Sequence, residues 1–299
     1  MVERINIRRR GDRHGWFFLA PYVVLLTVFG LVPVLYTIYQ SFVVENAATA
    51  GRSIGLDNYP SVLADFRFWP AIGHVGVFLL IWLPVMVFGV LAFALLLHDR
   101  AGRGSGLFRL VYFLPGAVTG SAAVLLWYCM LQPDLSPFGP VLRALGLETG
   151  AEVFKDSHLP MIFALMAFTT GVGQWIVIMY GALQNVPEDV LEAAALDGCG
   201  PVRRALYIKL PLVTKYVLYM VILSFSAGVQ IFVEPQLLGA INRTGNTWWS
   251  VNQLGFSYAF RTGDFGSAAT VSLLLLVLCT VAALLLIFRT DFFATEVDR

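Results

Sequence analysis

Charged side chains are scarce in this 299-residue chain, of which 13% is Asp, Glu, Lys or Arg and 58% is hydrophobic. The mean hydropathy of +0.75 is too high for a chain that buries one apolar core and leaves the rest in water. The composition therefore predicts an all-α membrane protein with several crossings. The net charge of +1 does not indicate nucleic-acid binding, because in a membrane chain the position of the charges matters more than their sum.

The sequence also lacks the residues of several kinds of active site. It has no Gly-x-x-x-x-Gly-Lys-Ser/Thr loop to hold nucleotide phosphates, so this chain is not expected to hydrolyse ATP alone. Its four histidines are scattered, which argues against a membrane-embedded hydrolase. Cys129, Cys199 and Cys279 have neither disulfide nor metal-ligand spacing. We therefore expect no catalytic residue, no metal and no cofactor on this chain.

Six apolar runs are long enough to cross a bilayer as helices. They cover residues 16–40, 71–97, 110–132, 159–183, 213–233 and 265–288. They predict one transmembrane domain, 16–288, with an N-terminal segment, 1–15, and a tail, 289–299. Fourteen of the 20 Lys and Arg residues fall near the two ends, in the 98–109 turn and around residues 185–212. The positive-inside rule places these pieces in the cytoplasm.

Residues 185–212 form a polar stretch between the fourth and fifth runs, called the 185–212 loop below. Pro187 and Glu188 suit the first turn of a helix, and Glu192 adds negative charge near the positive end of its dipole. Gly198 permits the left-handed residue that commonly ends a helix. The sequence thus predicts a short helix that ends in a sharp bend.

A second short helix is expected after this bend. Pro201 can open it, and residues 202–209 place basic side chains among apolar ones. The pair Leu210–Pro211 is expected to stop it before the fifth run, because proline disfavours a helical conformation in the residue before it. The 185–212 loop is therefore predicted to be a compact helical projection from the membrane.

The spacing in this loop resembles the cytoplasmic loop of ABC importer membrane subunits, in the version found in sugar permeases of the maltose and glycerol-phosphate type. The pattern is Glu-Ala-Ala, three residues, Gly, nine residues, Ile, one residue and Leu-Pro. It is matched throughout, at Glu192, Ala193, Ala194, Gly198, Ile208, Leu210 and Pro211. The resemblance implies a type I ABC importer permease fold of about six transmembrane helices in the inner (plasma) membrane of a bacterium.

The resemblance also implies partners and a docking site. The partners are a second homologous permease, a dimer of ATPase subunits that hold ATP and Mg, and an extracytoplasmic solute-binding protein or lipoprotein. The residues expected to dock on the ATPase are Glu188, Glu192, Ala193, Ala194, Asp197, Gly198 and Arg203. The chain departs from the family at His74–Val75, where Asn-Thr is usual, and at 239–242, where Gly-Gly-Pro with Thr is usual. Both departures leave the substrate and the contact with the binding protein open.

A path for a carbohydrate or polyol is expected around Gln174, Trp175, Gln230 and Glu234. An amide deep in hydrocarbon must find partners or line water, and an aromatic face suits the C–H face of a sugar ring. Trp127, Tyr128 and Tyr180 are further candidates, although an aromatic is more often an ordinary packing or membrane-interface residue. A passive channel or an accessory assembly subunit would have the same hydropathy. The 185–212 loop is the feature that argues for an importer instead.

Overall fold

The computed structural model describes residues 12–46, 51–99, 105–118, 120–242 and 248–290. The first crossing consists of α1 (Asp12–Leu26), a π-helical turn (Thr27–Leu31) and α2 (Val32–Ser41). Together they supply a candidate membrane span from Trp16 to Ser41. This matches the expected run closely.

A small hairpin follows between the first and second apolar runs. Strand β1 (Val43–Asn46) pairs antiparallel with β2 (Gly51–Ile54). The Asn58 amide holds the hairpin to the first crossing, because its Nδ2 donates to the carbonyl oxygens of Ser41 and Val43, each at 2.9 Å. Asn58 opens α3 (Asn58–Ala64), and the 32-residue α4 (Phe68–Asp99) is the second crossing.

The third apolar run is broken rather than straight. Helix α5 (Ser105–Ala117) and helix α6 (Gly120–Leu131) meet at 103°. Pro115 lies in the last turn of α5, and Gly120 has a left-handed φ of 60°, so the backbone turns where an α-helix cannot continue. The described ranges hold five helices long and apolar enough to span, or six if this bent pair counts as one. Helices α7 (Gly139–Ala144) and α8 (Gly150–Val153) follow.

The remaining chain forms three further crossings and the segments between them. Helix α9 (Leu159–Leu183) leads into the 185–212 loop, which contains α10 (Glu188–Leu196) and α11 (Pro201–Arg204). A π-helical turn (Ala205–Lys209) joins α11 to α12 (Leu210–Val229), and α13 (Val233–Asn242) follows a break. Helix α14 (Val251–Ser257), a π-helical turn (Tyr258–Thr262) and α15 (Phe265–Arg289) complete the chain that the structure describes.

One sequence prediction about the fifth crossing is wrong, because Leu210–Pro211 does not stop the helix. The chain remains helical from Pro201 to Val229. Proline lacks an N–H and its ring clashes with the carbonyl one α-helical turn earlier. The π-helical turn at 205–209 lies at that place, and its wider spacing relieves the conflict. The true interruption comes at Gln230, inside the run predicted to be continuous from 213 to 233.

The core lies where α4, α9 and α12 pack together. Its largest buried side chains from these helices are Phe78, Met86, Phe163, Ile176, Met179, Leu183 and Met220. The most apolar window of the first crossing has no buried residue, whereas 44% of the corresponding window in α9 is buried. Helix α9 is therefore central in this chain, and the first crossing lies at its periphery.

Candidate functional site

The bend of the 185–212 loop is built on one left-handed residue. Pro187 precedes the first helical residue, Glu188, rather than lying inside the helix. Gly198 has a φ of 77°, and a Cβ added to it would meet no atom within 4 Å. The Cys199 N–H donates to the carbonyl of Ala194 at 2.9 Å, which ties the chain back onto the helix it has left. Glycine is thus needed here for its backbone conformation and not for space.

The outer face of this loop is open. No residue of α10 is buried, and the Leu196 side chain at its end is 89% exposed. Among the residues expected to dock, Ala194 is half-buried and the others are exposed: Glu188, Glu192, Ala193, Asp197, Gly198 and Arg203. The loop therefore presents carboxylates, small residues and apolar side chains together on a surface.

The inner face of the loop is held by a contact that the sequence did not indicate. Lys209 is only 4% exposed, and its Nζ lies 3.0 Å from Nδ1 of His98 at the end of α4. The His98 ring packs edge-on against Tyr180 of α9, with centroids 6.3 Å apart. Tyr180, a candidate path residue, thus lies at this end of α9. Three helices meet behind the bend.

A cavity of about 480 Å³ brings together all four residues expected along the substrate path. Gln174 and Trp175 reach it from α9, Gln230 from the end of α12 and Glu234 from the start of α13. We call it the central cavity. A neighbouring cavity of about 210 Å³ shares Gln174 and Glu234 and also contacts Trp127. By contrast, Tyr128 stacks on Phe154 with centroids 5.3 Å apart and lines neither of these cavities.

The central cavity lies at the interruption of the fifth crossing. Residues 230–232 are not helical, and the Gln230 carbonyl accepts a hydrogen bond from Nδ2 of Asn252 at 3.0 Å. Glu234 lies in the first turn of α13, where the helix dipole favours negative charge. Broken helices within a membrane expose backbone polar groups where they line a cavity. The break therefore leaves backbone polar groups at the cavity that a continuous helix would pair internally.

Polar side chains that no sequence pattern marked also line this cavity, among them Trp82 and Ser224. Neither the indole nitrogen nor the hydroxyl has a hydrogen-bond partner among the described residues. The Trp82 ring also lies over Gly228, where an added Cβ would come within 2.6 Å of it. Both residues stand in ordinary apolar runs, so no pattern marked them. A solute rich in hydroxyl groups would offer such atoms partners.

At the opposite end of α4 from the loop, three polar side chains form a clamp between the segment before α4 and the segment before α15. Asp65 binds Arg67, with 2.6 Å between Oδ2 and Nη2, and accepts a hydrogen bond of 2.5 Å from the Tyr258 hydroxyl. The Arg67 guanidinium holds the pKa of Asp65 well below its usual range. Burial, and then the bond to Asp65, raise the pKa of Tyr258 to about 12. The clamp is therefore charged and intact at neutral pH.

His74, a departure from the family pattern, also has a structural role. Its ring stacks on Trp249 with centroids 5.5 Å apart, and Nδ1 lies 3.2 Å from the Trp249 carbonyl oxygen. Within the described ranges, no group of three His, Cys, Asp or Glu residues could hold a metal ion. The site therefore consists of a polar cavity within the helices and an exposed loop at one end of them.

These features define a membrane permease, since helices long enough to span surround a polar cavity and project a loop suited to a partner. The model of the family described as "binding-protein-dependent transport system inner membrane component" matches residues 61–294. The chain belongs to this family.

Known proteins resemble the chain over nearly its whole length. A lactose transport system permease protein of Rhizobium radiobacter is 27% identical over 289 residues, covering 95% of this chain and 96% of that protein. A trehalose/maltose transport system permease protein of Thermococcus litoralis is 26% identical over 280 residues, covering 91% and 92%. A crystal structure of a bacterial alginate ABC transporter, in complex with an alginate pentasaccharide-bound periplasmic protein, has a TM-score of 0.73 at 15% identity and covers 92% of this chain and 93% of that one.

The family decides between the alternatives that hydropathy left open. The chain has the ABC importer permease fold and is a permease subunit of a binding-protein-dependent importer. A passive channel and an accessory assembly subunit are therefore rejected.

Proposed function

We propose that this permease moves a carbohydrate or polyol and that the central cavity is its passage. The observation that carries the proposal is the meeting of Gln174, Trp175, Gln230 and Glu234 at one cavity beside a helix break. Amide and carboxylate groups can bind sugar hydroxyls, and the indole offers an apolar face. The names of the lactose and trehalose/maltose permeases support the same class of solute.

The proposed complex contains a second homologous permease, two ATPase subunits that bind ATP and Mg, and a solute-binding protein outside the membrane. The alginate transporter with its periplasmic protein supports the last of these partners. The first crossing, with no buried residue in its most apolar window, leaves a full helix surface for lipid and the second permease. Both ends of the chain, 1–15 and 289–299, are placed in the cytoplasm; residues 1–11 and 291–299 lie outside the described residues.

The proposed coupling element is α10 in the 185–212 loop. Ala193 and Ala194 let this helix approach an ATPase closely, while Glu188, Glu192 and Asp197 can pair with basic groups there. Arg203 supplies a positive charge beyond the Gly198 bend. Closure of the ATPase around ATP would then move α10 as a rigid body, and α12 would carry the movement to the central cavity. The chemistry of hydrolysis belongs to the partner.

Reconstitution tests the proposal. The chain is coexpressed with the proposed permease, ATPase and binding-protein partners, and the purified complex is placed in liposomes with lactose, maltose, trehalose or glycerol. We expect at least one of these solutes, with its binding protein, to stimulate ATP hydrolysis and to accumulate inside. Solute that equilibrates without ATP would contradict the coupling, and stimulation by none of the four would contradict the solute class.

A labelling experiment tests the orientation. Cys199 lies in the 185–212 loop and is half-buried, so an impermeant thiol reagent should reach it in inverted membrane vesicles but not in intact cells. The matched control is Ser53→Cys, on the exposed β2 strand, in a Cys199→Ser background. This thiol should react in intact cells. The reverse pattern would contradict the proposed topology.

A further inference from the structure

We infer that Lys209 and His98 are positioning residues that make the 185–212 loop and helix α4 move together. The inference rests on the proposed function, because it states where movement of the loop enters the membrane core. It concerns the three-helix contact behind the bend, between the turn at 205–209, the end of α4 and Tyr180 of α9. None of these three residues belongs to the docking pattern or to the lining of the central cavity.

In the contact between Lys209 and His98, the lysine donates the hydrogen bond and the histidine accepts it. A lysine ammonium has three donors and no acceptor, so at 3.0 Å from Nζ the Nδ1 of His98 must carry a lone pair. Lys209 itself is only 4% exposed. A buried cation retains its interactions strongly because losing an acceptor there is costly. Lys209 and His98 therefore hold together while the helices that carry them shift.

The same two helices also touch beside the central cavity. The Trp82 ring of α4 lies against Gly228 of α12, and both residues line the cavity. Along α4, Trp82 and His98 are sixteen residues or about 24 Å apart, and Lys209 and Gly228 are separated by a similar rise. The two helices are thus tied at the loop end and again at the cavity. A displacement of the loop pulls on α4 directly, so the two walls of the cavity move as one body.

This link predicts a specific defect, namely a loss of coupling without a loss of docking. Lys209→Met keeps the length of the side chain and removes its donor. In the reconstituted complex, we expect this variant to retain its ATPase subunits while solute moved per ATP hydrolysed falls about tenfold or more, because a hydrogen bond to a charged group is lost. Lys209→Arg, which keeps a donor, should restore most of the ratio. Lys215→Met, a lysine exposed on the same helix, is the matched control and should not change it.

A double variant separates this role from folding. His98→Phe alone removes an acceptor from a buried ammonium and is expected to reduce the amount of inserted protein. Lys209→Met/His98→Phe should insert normally and show the same low ratio as Lys209→Met, because both lack one and the same contact. Wild-type complex without ATP-dependent uptake would contradict the proposed function itself. Normal wild-type uptake with an equal ratio in Lys209→Met and Lys215→Met would overturn the positioning role alone, as would loss of the ATPase from Lys209→Met.

Discussion

Gly198 in the 185–212 loop and Gly228 beside the central cavity are required for opposite reasons. Gly198 has a left-handed backbone and open space around it, whereas Gly228 is helical and lies against the Trp82 ring. The first glycine allows the bend of an exposed loop, and the second allows two helices of the same chain to pack. The comparison teaches that the loop depends on local conformation, while the cavity depends on contacts between residues distant in sequence.

The largest effect is expected from Gly228→Ala. The added methyl would come within 2.6 Å of Trp82 and Leu79, and overpacking of this kind costs about 1–3 kcal/mol. The melting temperature of the purified complex should fall. Gly181→Ala on α9, where an added Cβ meets nothing within 4 Å, should be neutral or stabilising. Equal melting temperatures for the two variants would show that the contact between α4 and α12 does not require a glycine at position 228.

Gly198→Val tests the conformational side. A β-branched residue in the left-handed region is strained by about 1–2 kcal/mol, which should displace α10 and reduce the amount of ATPase that copurifies. Gly200→Val is the matched control, because Gly200 has an ordinary φ of −65° and open surroundings. Its ATPase association should remain normal. If both variants bound the ATPase like the wild type, the bend would have no part in docking.

Substitutions at Glu192 test whether charge on the 185–212 loop contributes to the proposed docking. Glu192→Lys should reduce ATPase association more than Glu192→Gln, because it adds repulsion to the loss of a contact. Exposed charge pairs contribute about 0–1 kcal/mol each, so the difference should be several-fold at low salt and smaller at high salt. Pull-down of the ATPase at two salt concentrations measures it. Identical binding by the two variants would argue against an electrostatic contact at Glu192.

Gln174→Leu tests whether the amide at the central cavity contacts the solute. Loss of one neutral hydrogen bond to a solute hydroxyl costs about 1 kcal/mol, so the half-saturating solute concentration for transport should rise about fivefold. Gln184→Leu is a control near the end of the same helix, where the side chain is exposed and lies outside the cavity lining. Unchanged transport in Gln174→Leu would exclude this amide from the passage.

The smallest effect is expected at the clamp of Asp65, Arg67 and Tyr258. Asp65→Asn should cost about 0.5–1 kcal/mol of stability, since its pair with Arg67 is partly exposed. The lowered pKa of Asp65 stabilises the fold above the ordinary value of 3.8 and is lost as the pH falls below it. The raised pKa of Tyr258 contributes below 10.0 and is lost as the pH rises towards about 12. Between pH 3.8 and 10.0, the melting temperature of Asp65→Asn should therefore lie below that of the wild type by a constant amount. Asp57→Asn, at an exposed position, is the control and should melt like the wild type.

The sequence predicted the 185–212 loop better than the cavity because its signals are local. Gly198 predicts a left-handed residue from its own chemistry, and the structure has one. Gln174 and Gln230 indicated a polar passage because amides within apolar runs require partners or water, but their meeting depends on helix packing over 56 positions. Trp82 and Ser224 carried no signal at all. The stop predicted at Pro211 was wrong because a π-helical turn accommodates a proline that an α-helix would not.

That π-helical turn also limits how the gene can tolerate insertions and deletions. It holds one residue more than an α-helical turn would, so removing a single codon between residues 205 and 208 would restore regular winding and leave the loop facing nearly the same way. In the regular part of α12, no wide turn absorbs a change of length. A single-codon deletion there would leave the side chains of α10 unchanged and yet rotate the whole loop by about 100° about α12. The π-helical turn is therefore a place where the chain tolerates a shortening that the rest of this helix does not.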